Sequence, residues 1–199
     1  MNIIGLLGGV ASGKSFVAAE LARLGAVILD ADRAGHEVLH EPEVIMAARN
    51  RWGGTVFNAE GDIDRKRLAA IVFADTPAGR AELAYLEQLT HPRIGQRLLD
   101  QLQVARNEGV PLAVLDAPVM LKAGWDRMCD TILFVDASDE VRLSRALARG
   151  WTEAEFRRRE AAQEPVAVKA ARADLAIDNS GPPEATRAQV ERVYRGLIE

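Results

Sequence analysis

The sequence predicts an α/β fold in which a parallel sheet is flanked by helices. Short apolar runs alternate with segments of helical periodicity, which is typical of strands buried on both faces of a sheet. A glycine-rich segment follows the first apolar run, and a helical pattern follows that segment directly. The apolar runs that predict the strands are residues 3–7, 26–29, 111–115, 131–135 and 175–177.

The glycine-rich segment, residues 8–15 (GGVASGKS), has the spacing Gly, four residues, Gly-Lys-Ser. Its glycines let successive backbone N–H groups point inward, and the helix that follows adds the positive end of its dipole. Lys14 is expected to reach the β- and γ-phosphates of ATP, and the Ser15 hydroxyl to bind Mg²⁺. A turn that only packs a strand on a helix is the alternative, but the complete spacing favours a P-loop kinase core. The predicted nucleotide contacts are Gly8, Gly9, Val10, Ala11, Ser12, Gly13, Lys14, Ser15 and Phe16.

Length, charge and cysteine content narrow the class of protein. A chain of 199 residues can bury one substantial core with small appended lobes. The net charge of −4 argues against a nonspecific nucleic-acid binder. No apolar run approaches the roughly 20 residues that span a bilayer, and the N-terminus lacks the features of a signal peptide, so a cytoplasmic location without membrane partners is predicted. Cys129 is the single cysteine, which excludes an internal disulfide. A monomer is expected, although the sequence does not determine the oligomeric state.

Three acidic residues follow predicted strands at their carboxyl ends, where an open α/β sheet binds its ligands. Asp30 and Asp32 come after the second strand, and Asp116 comes after the third. Either of the first two can cap the next helix, while Asp32 can also accept the proton of an attacking hydroxyl. For Asp116 a role in organising Mg²⁺ is favoured over a cap before Pro118.

Between residues 41 and 108 the pattern is helical and no strand alternates with the helices. This predicts a helical insertion that binds the second substrate. His91 lies at a predicted junction, with Pro92 at the first position of the next helix. Arg93 and Arg97 could make an anion-facing surface beside it, although an isolated histidine is more often a packing residue. The predicted helices of the insertion are residues 43–51, 64–73, 77–90 and 92–108, and Asp64 is the predicted cap of the second.

Six arginines flank Gly150 in two predicted helices. Ser138 is the predicted cap of the first helix, and residues 152–155 (TEAE) are a predicted capping box at the start of the second. Two explanations are open for them. They can form solvated salt bridges with nearby glutamates, or one or two can belong to a lid that presents guanidinium groups to the transferred phosphoryl group. Beside a phosphate-binding loop the lid is favoured. The arginines are Arg142, Arg145, Arg149, Arg157, Arg158 and Arg159.

Several motifs, taken in order, resemble the dephospho-CoA kinase family. They are the phosphate loop, residues 27–32 (VILDAD), His91-Pro92, residues 115–118 (LDAP), the arginine-rich segment ending at 161–163 (AAQ), and residues 177–181 (IDNSG). The resemblance implies transfer of the γ-phosphoryl group of ATP to the 3′-hydroxyl of dephospho-CoA. It further implies Asp32, Lys14 and Arg145 as catalytic residues, Asn179 near the adenine, and Asp32, His91 and Arg93 as substrate contacts.

The same resemblance divides the chain into a nucleotide-binding core (1–32, 110–148 and 172–199), a CoA-binding domain (33–109) and a lid (149–171). The chain departs from the family pattern at Leu7 and Phe16, where threonine is usual, at Ala11, where glycine is common, and at Lys122, where glutamate is frequent. Two alternatives follow: a kinase for another small hydroxylated acceptor, such as a nucleoside or nucleotide, and a nucleotide-binding homologue without turnover.

Overall fold

The computed structural model describes residues 1–199, and at its centre lies a five-stranded parallel sheet with the strand order β2-β3-β1-β4-β5. β1 is the central strand, and its Gly5 pairs with Leu115 of β3 and with Ile132 of β4. The predicted α/β class and all five predicted strands are confirmed. The strands are β1 (Asn2–Gly8), β2 (Val27–Asp30), β3 (Leu112–Asp116), β4 (Thr131–Asp136) and β5 (Leu175–Asp178).

Ten α-helices and two short 3₁₀ helices (Gly53–Val56 and Trp125–Met128) connect and cover the strands. None of the helices combines the length and the apolar character needed to cross a bilayer. The helices are α1 (Lys14–Arg23), α2 (Ala31–Val38), α3 (Pro42–Trp52), α4 (Arg65–Val72), α5 (Pro77–Asn107), α6 (Met120–Ala123), α7 (Asp139–Ala148), α8 (Glu153–Ala161), α9 (Val166–Ala171) and α10 (Pro183–Ile198).

The chain divides into two compact units, and the first comprises residues 1–29 and 102–199. Its main core is formed by the inward side chains of the strands together with α1 and α10, including Leu6, Leu21, Val135 and Val190. Burial of such apolar surface is the main stabilising contribution to a core of this kind. A smaller cluster packs Val10 and Ala11 of the phosphate loop, with Ala146, against Phe156 of α8. The loop is therefore anchored by its own apolar side chains.

The second unit, residues 30–101, is helical. Its buried side chains come from α2, α3, α4 and α5, as at Val38, Val44, Leu68 and Leu98. A single antiparallel bridge between Phe57 and Ile63 closes the turn that joins the 3₁₀ helix to α4. The predicted helical character of this stretch is confirmed.

The predicted helix break before Pro92 is wrong, because α5 continues without interruption from Pro77 to Asn107. A proline inside a helix removes one N–H donor and crowds the carbonyl four residues earlier. Donors from neighbouring side chains serve carbonyls in the turn before the proline. Thr90 Oγ1 donates to Leu86 O at 2.8 Å, and Arg93 Nη1 donates to Leu89 O at 2.7 Å. These bonds reach Leu86 and Leu89 and not Gln88, whose carbonyl loses its donor to Pro92, so they do not by themselves explain the uninterrupted helix. The ring of Pro92 is exposed.

Helix caps predicted from single residues are confirmed. Asp30 accepts from Arg33 N at 2.7 Å, Asp64 accepts from Lys66 N at 2.9 Å, and Ser138 accepts from Val141 N at 3.3 Å. Thr152 also caps its helix, but the Glu155 carboxylate binds Arg159 at 2.7 Å instead of the backbone of Thr152. The capping box is therefore only half formed. The short helices α6 and α9 are not anticipated by the sequence pattern.

Candidate active site

The loop between β1 and α1 has the backbone of a phosphate-binding loop. Gly13 precedes the helix with φ 94° and ψ 24°, in the left-handed region that glycine adopts without a steric penalty. A side chain at this position would also overlap the Asn179 side-chain amide. Ala11 has φ 59°, so one left-handed residue in the loop is not glycine. The backbone N–H groups at the start of α1 and the dipole of this helix favour an anion beside the loop.

Two details of the loop fit a bound phosphate. A Cβ atom at Gly8 would come within 2.5 Å of Ser12 Oγ and 2.8 Å of Val135 O, so only glycine leaves room there. Ser12 Oγ is buried and has no hydrogen-bond partner within the protein. An unsatisfied buried hydroxyl costs about 1–3 kcal/mol, which a ligand oxygen at this position would recover. The loop therefore has the space and the donor that an oxyanion needs.

Lys14 opens α1 and is half-buried. Burial lowers the pKa of Lys14, the Asp116 carboxylate at the end of β3 raises it, and the Arg149 guanidinium lowers it again. The structure therefore brings Lys14 and Asp116 close enough to interact. Ser15 is exposed on the first turn of α1, while Asp116 is partly buried. No group of three or more His, Cys, Asp or Glu side chains could hold a metal by itself. A metal ion here would take most of its ligands from phosphate oxygens and water, as Mg²⁺ usually does.

Asn179 ties the last strand to the phosphate loop. Its Nδ2 donates to Ser12 O at 2.7 Å, and its Oδ1 accepts from Thr186 Oγ1 at 2.9 Å. Its backbone N–H donates to Asp136 O at 2.8 Å, and its carbonyl accepts from Arg145 Nη2 at 2.7 Å. Every polar group of this buried residue thus has a partner within the protein. The side chain therefore positions the loop, and its predicted place near the adenine stays a prediction.

Arg145 reaches the same loop from α7. Its Nη1 donates to Ser12 O at 3.0 Å while its Nη2 holds Asn179. Beside it lies an open cavity of about 400 Å³, which also contains Phe16 from α1 and Arg149. The predicted contacts Gly13, Phe16, Arg145 and Asn179 therefore meet at one cavity. Its lining residues are Gly13, Phe16, Arg145, Ala148, Arg149, Asn179, Gly181 and Pro183.

The salt-bridge explanation holds for three of the six arginines. Arg142 is almost fully buried, forms an ion pair with Asp139 at 2.9 Å and binds Glu160 as well. Arg157 binds the same two carboxylates, at 2.7 Å and 3.1 Å, and its hydrogen bond holds the pKa of Asp139 below the usual value. Arg159 pairs with Glu155 at 2.7 Å. This network joins α7 to α8.

The position of Arg142 also explains why residue 9 of the phosphate loop is glycine. A Cβ atom at Gly9 would stand 2.7 Å from Arg142 Nη1, so the guanidinium packs directly against the loop backbone. Its Nε donates to Ala137 O at 3.2 Å. Arg142 is therefore a positioning residue for the loop.

A second cavity, of about 420 Å³, opens beside Gly9 and Val10. It is lined on the other side by the end of α8 and by α9, including Gln163 and the buried Lys169. Sequence reasoning missed Lys169. The available signal was one charged residue within an apolar helical stretch, residues 166–171 (VAVKAA).

The second unit contains the remaining predicted residues. Asp32 is exposed on the first turn of α2, immediately after the capping residue Asp30. α2 packs against α5, because a Cβ atom at Gly35 would lie 3.5 Å from Ile94 Cδ1. His91 and Arg93 precede Ile94 on α5, and the structure therefore brings them to the helix pair that carries Asp32.

Two arginines of α5, Arg93 and Arg97, are paired with glutamates. Arg93 Nε lies 3.5 Å from Glu41, and Arg97 binds Glu41 at 2.8 Å and Glu37 at 3.0 Å. Their positive charges are therefore already compensated within the second unit. The predicted roles of Asp32, His91 and Arg93 stay predictions.

The central parallel strand, the glycine loop and the buried lysine that opens α1 together define a P-loop nucleotide-binding protein of the kinase type. A family model described as dephospho-CoA kinase matches residues 2–184. The chain therefore belongs to the dephospho-CoA kinase family, as its motifs predict.

Individual relatives agree with this family. A dephospho-CoA kinase from Symbiobacterium thermophilum is 41% identical over 98% of this chain and 81% of its own length. One from Geobacter sulfurreducens is 41% identical over 98% of both chains. A solved structure of a Thermus thermophilus protein superimposes with a TM-score of 0.82 at 31% identity, covering 100% of this chain and 98% of the other. Use of ATP follows from membership of this family.

Proposed function

We propose that this protein transfers the γ-phosphoryl group of ATP to the 3′-hydroxyl of the ribose of dephospho-CoA, giving CoA and ADP. The observation that carries the proposal is a complete phosphate loop in a chain that matches the dephospho-CoA kinase family over residues 2–184. The new P–O bond forms at the 3′ oxygen as the bond between the γ-phosphorus and ADP breaks. The hydroxyl proton passes to the Asp32 carboxylate.

The phosphate loop holds the triphosphate in this proposal. Backbone N–H groups of residues 9–15 bind its oxygens, and Lys14 supplies positive charge to the β- and γ-phosphates. The left-handed Gly13 and the unpaired hydroxyl of Ser12 support this use of the loop. Arg145 is proposed to stabilise charge on the transferred group. Its Nη1 donates to Ser12 of the loop and its Nη2 to Asn179, which leaves further N–H donors on the guanidinium.

Mg²⁺ is the proposed metal, held by the Ser15 hydroxyl and, through bound water or directly, by Asp116. The metal would neutralise charge on the phosphate oxygens. The proximity of Asp116 to Lys14 supports this assignment.

Residues 33–109 are proposed to bind dephospho-CoA, with His91 and Arg93 as contacts, and residues 149–171 to form the lid. Asp32 is exposed on the first turn of α2, which leaves its carboxylate accessible to a hydroxyl. A cytoplasmic location and a monomeric state stay predictions.

The experiment is a coupled assay with purified protein, ATP, MgCl₂ and dephospho-CoA. ADP and CoA should form in equal amounts, and EDTA should abolish both. Lys14→Ala should lower kcat at least about a thousandfold, because the charge at the β/γ site is lost. Lys66→Ala, which removes an exposed lysine of α4, is the matched control.

Two results would overturn the proposal. A clear preference for a nucleoside or nucleotide acceptor, tested at equal concentration, would identify a different kinase. ATP binding without ADP release in the complete mixture would identify a homologue without turnover.

A further inference from the structure

Lys169 of α9 is a buried lysine beside the phosphate loop. Only 6% of its surface is exposed. Its Nζ donates to the carbonyl oxygen of Gly8 at 3.3 Å and to Gln163 Oε1 at 2.7 Å. Both acceptors are uncharged, although lysine is almost never fully buried unless it is paired. The residue therefore carries an energetic cost that the fold of the first unit does not explain.

Arg142 is a buried cation of the same unit with a structural role, and it can be compared with Lys169. Its guanidinium is as deeply buried as Lys169, but it contacts two carboxylates, Asp139 and Glu160. The carboxylates nearest to Lys169 are engaged elsewhere, since Glu160 binds Arg142 and Arg157, and Glu164 pairs with Arg172 at 3.7 Å. Lys169 thus receives no direct ion pair.

The surrounding charges point to an anionic ligand. Burial lowers the pKa of Lys169, and the positive charges of Lys14 and Arg142 lower it further, whereas Glu164 and Glu160 raise it. Lys14 and Lys169 both approach Gly8, since Lys14 Cγ would lie 3.2 Å from a Cβ atom at that position. An anion that touches both ammonium groups would compensate the desolvation and the repulsion between them.

The cavity beside Gly9 and Val10 gives such an anion access. Lys169 lines this space together with the loop backbone and Gln163, and the ammonium has three donors, of which two serve Gly8 and Gln163. We propose that Lys169 is a second phosphate-binding lysine, which contacts a phosphate of the bound nucleotide from the cavity that it lines with Gly9 and Val10. This inference rests on the proposed function, because the anion is the triphosphate of ATP.

The test compares the wild-type chain with Lys169→Met, using inorganic tripolyphosphate and ATP as probes in calorimetric titrations. The affinity for both probes should fall about tenfold or more, because a charge-assisted hydrogen bond to phosphate is lost. The affinity for adenosine should not change. The melting temperature of the ligand-free protein should rise, because an unpaired buried charge is replaced by an apolar side chain of similar length.

A purely structural role for Lys169 predicts the opposite signature. The ligand-free melting temperature would then fall, and adenosine and tripolyphosphate would be weakened together, which would overturn the inference. Lys169→Gln keeps a hydrogen-bond donor without the charge, and should show the same loss of affinity if Lys169→Met does not fold. Arg172→Met removes an exposed cation at the end of the same helix and should leave both affinities unchanged.

The failure of this inference differs from a failure of the proposed function. Wild-type turnover of dephospho-CoA with unchanged tripolyphosphate affinity in Lys169→Met would contradict only the role of Lys169. A wild-type protein that binds no adenine nucleotide would contradict the proposed function, and the inference with it.

Discussion

Two lysines of the first unit and two arginines of the second unit have opposite electrostatic environments. In the first unit, Lys14 and Lys169 are withdrawn from water beside the main chain of the phosphate loop, and only Asp116 and two more distant glutamates offset them. In the second unit, Arg93 and Arg97 are partly exposed and each is paired with a glutamate. Buried cations whose charge is only partly offset are suited to an external anion, whereas neutralised cations mainly stabilise their own fold.

This difference indicates where substitutions should affect chemistry and where they should affect stability. In the first unit, the buried lysines and the left-handed residues of the phosphate loop are proposed to serve one ligand, the nucleotide. In the second unit, the proposed general base is the exposed carboxylate of Asp32, and this role does not require burial. Four substitution experiments sharpen or break the comparison, beginning with the largest expected effect.

Asp32→Asn is expected to lower kcat by about 10²–10⁴-fold while the affinity for ATP is unchanged, since a general base is lost. Steady-state kinetics and ATP titration measure the two quantities. Asp30→Asn is the matched control, because asparagine also caps helices and this residue accepts from Arg33 N. Wild-type kcat in Asp32→Asn would show that the second unit supplies no base.

Gly13→Ala should destabilise the first unit by roughly 3 kcal/mol or more, since left-handed strain and overlap with Asn179 add together. Gly61→Ala in the second unit has a similar φ, 89°, but nothing lies within 4 Å of its Cβ position. Its cost should be about 1–2 kcal/mol from backbone strain alone. Urea unfolding measures both, and equal costs would contradict the crowding of the phosphate loop.

Arg93→Ala should raise the KM for dephospho-CoA about fivefold to tenfold if Arg93 is a substrate contact, equivalent to the loss of one charge-assisted contact. Arg97→Ala should cost at most about 1 kcal/mol of stability and leave KM unchanged, because two carboxylates hold its guanidinium at 3.0 Å and 2.8 Å, whereas Arg93 has only one carboxylate, at 3.5 Å. Initial-rate measurements at saturating ATP separate the two variants. An equal rise in KM for both variants would show that Arg93 and Arg97 both contact dephospho-CoA.

Ala11→Gly should stabilise the protein by about 0.5–1 kcal/mol. Relief of the left-handed strain at φ 59° contributes roughly 1–2 kcal/mol, and the added chain entropy of glycine offsets about 0.4–1 kcal/mol. Thermal unfolding checks the sign, and the KM for ATP should stay at the wild-type value. A destabilised variant would mean that packing of the Ala11 methyl group against Phe156 outweighs the strain.

Local signals in the sequence were sufficient for most of the fold. Continuous apolar runs predict all five strands because a parallel sheet covered on both faces has no polar side. Asp30, Asp64 and Ser138 are correctly predicted as caps because capping depends on neighbouring residues only. The phosphate loop is also predicted from a local signal, because its whole pattern lies within eight consecutive positions between a predicted strand and a predicted helix.

The features that sequence reasoning missed depend on distant partners. Pro92 lies inside α5, although its local pattern predicts a helix break, because packing of the whole helix overrides the preference of one residue. The role of Asn179 near the adenine stays a prediction, whereas its bond to the phosphate loop was not foreseen, because Ser12 lies 167 positions earlier in the chain. The environment of Lys169 depends on Gly8, which lies 161 positions away in the chain. A pattern of neighbouring residues cannot predict a contact between residues so far apart in the chain.

The clamp formed by Asn179 has a consequence for the order of folding. Ser12 and the amide that fixes its carbonyl are separated by 167 residues in the chain. A contact of such long range closes a large loop, and it can form only after β5 has joined the sheet. The phosphate loop is therefore expected to reach its final shape late in folding.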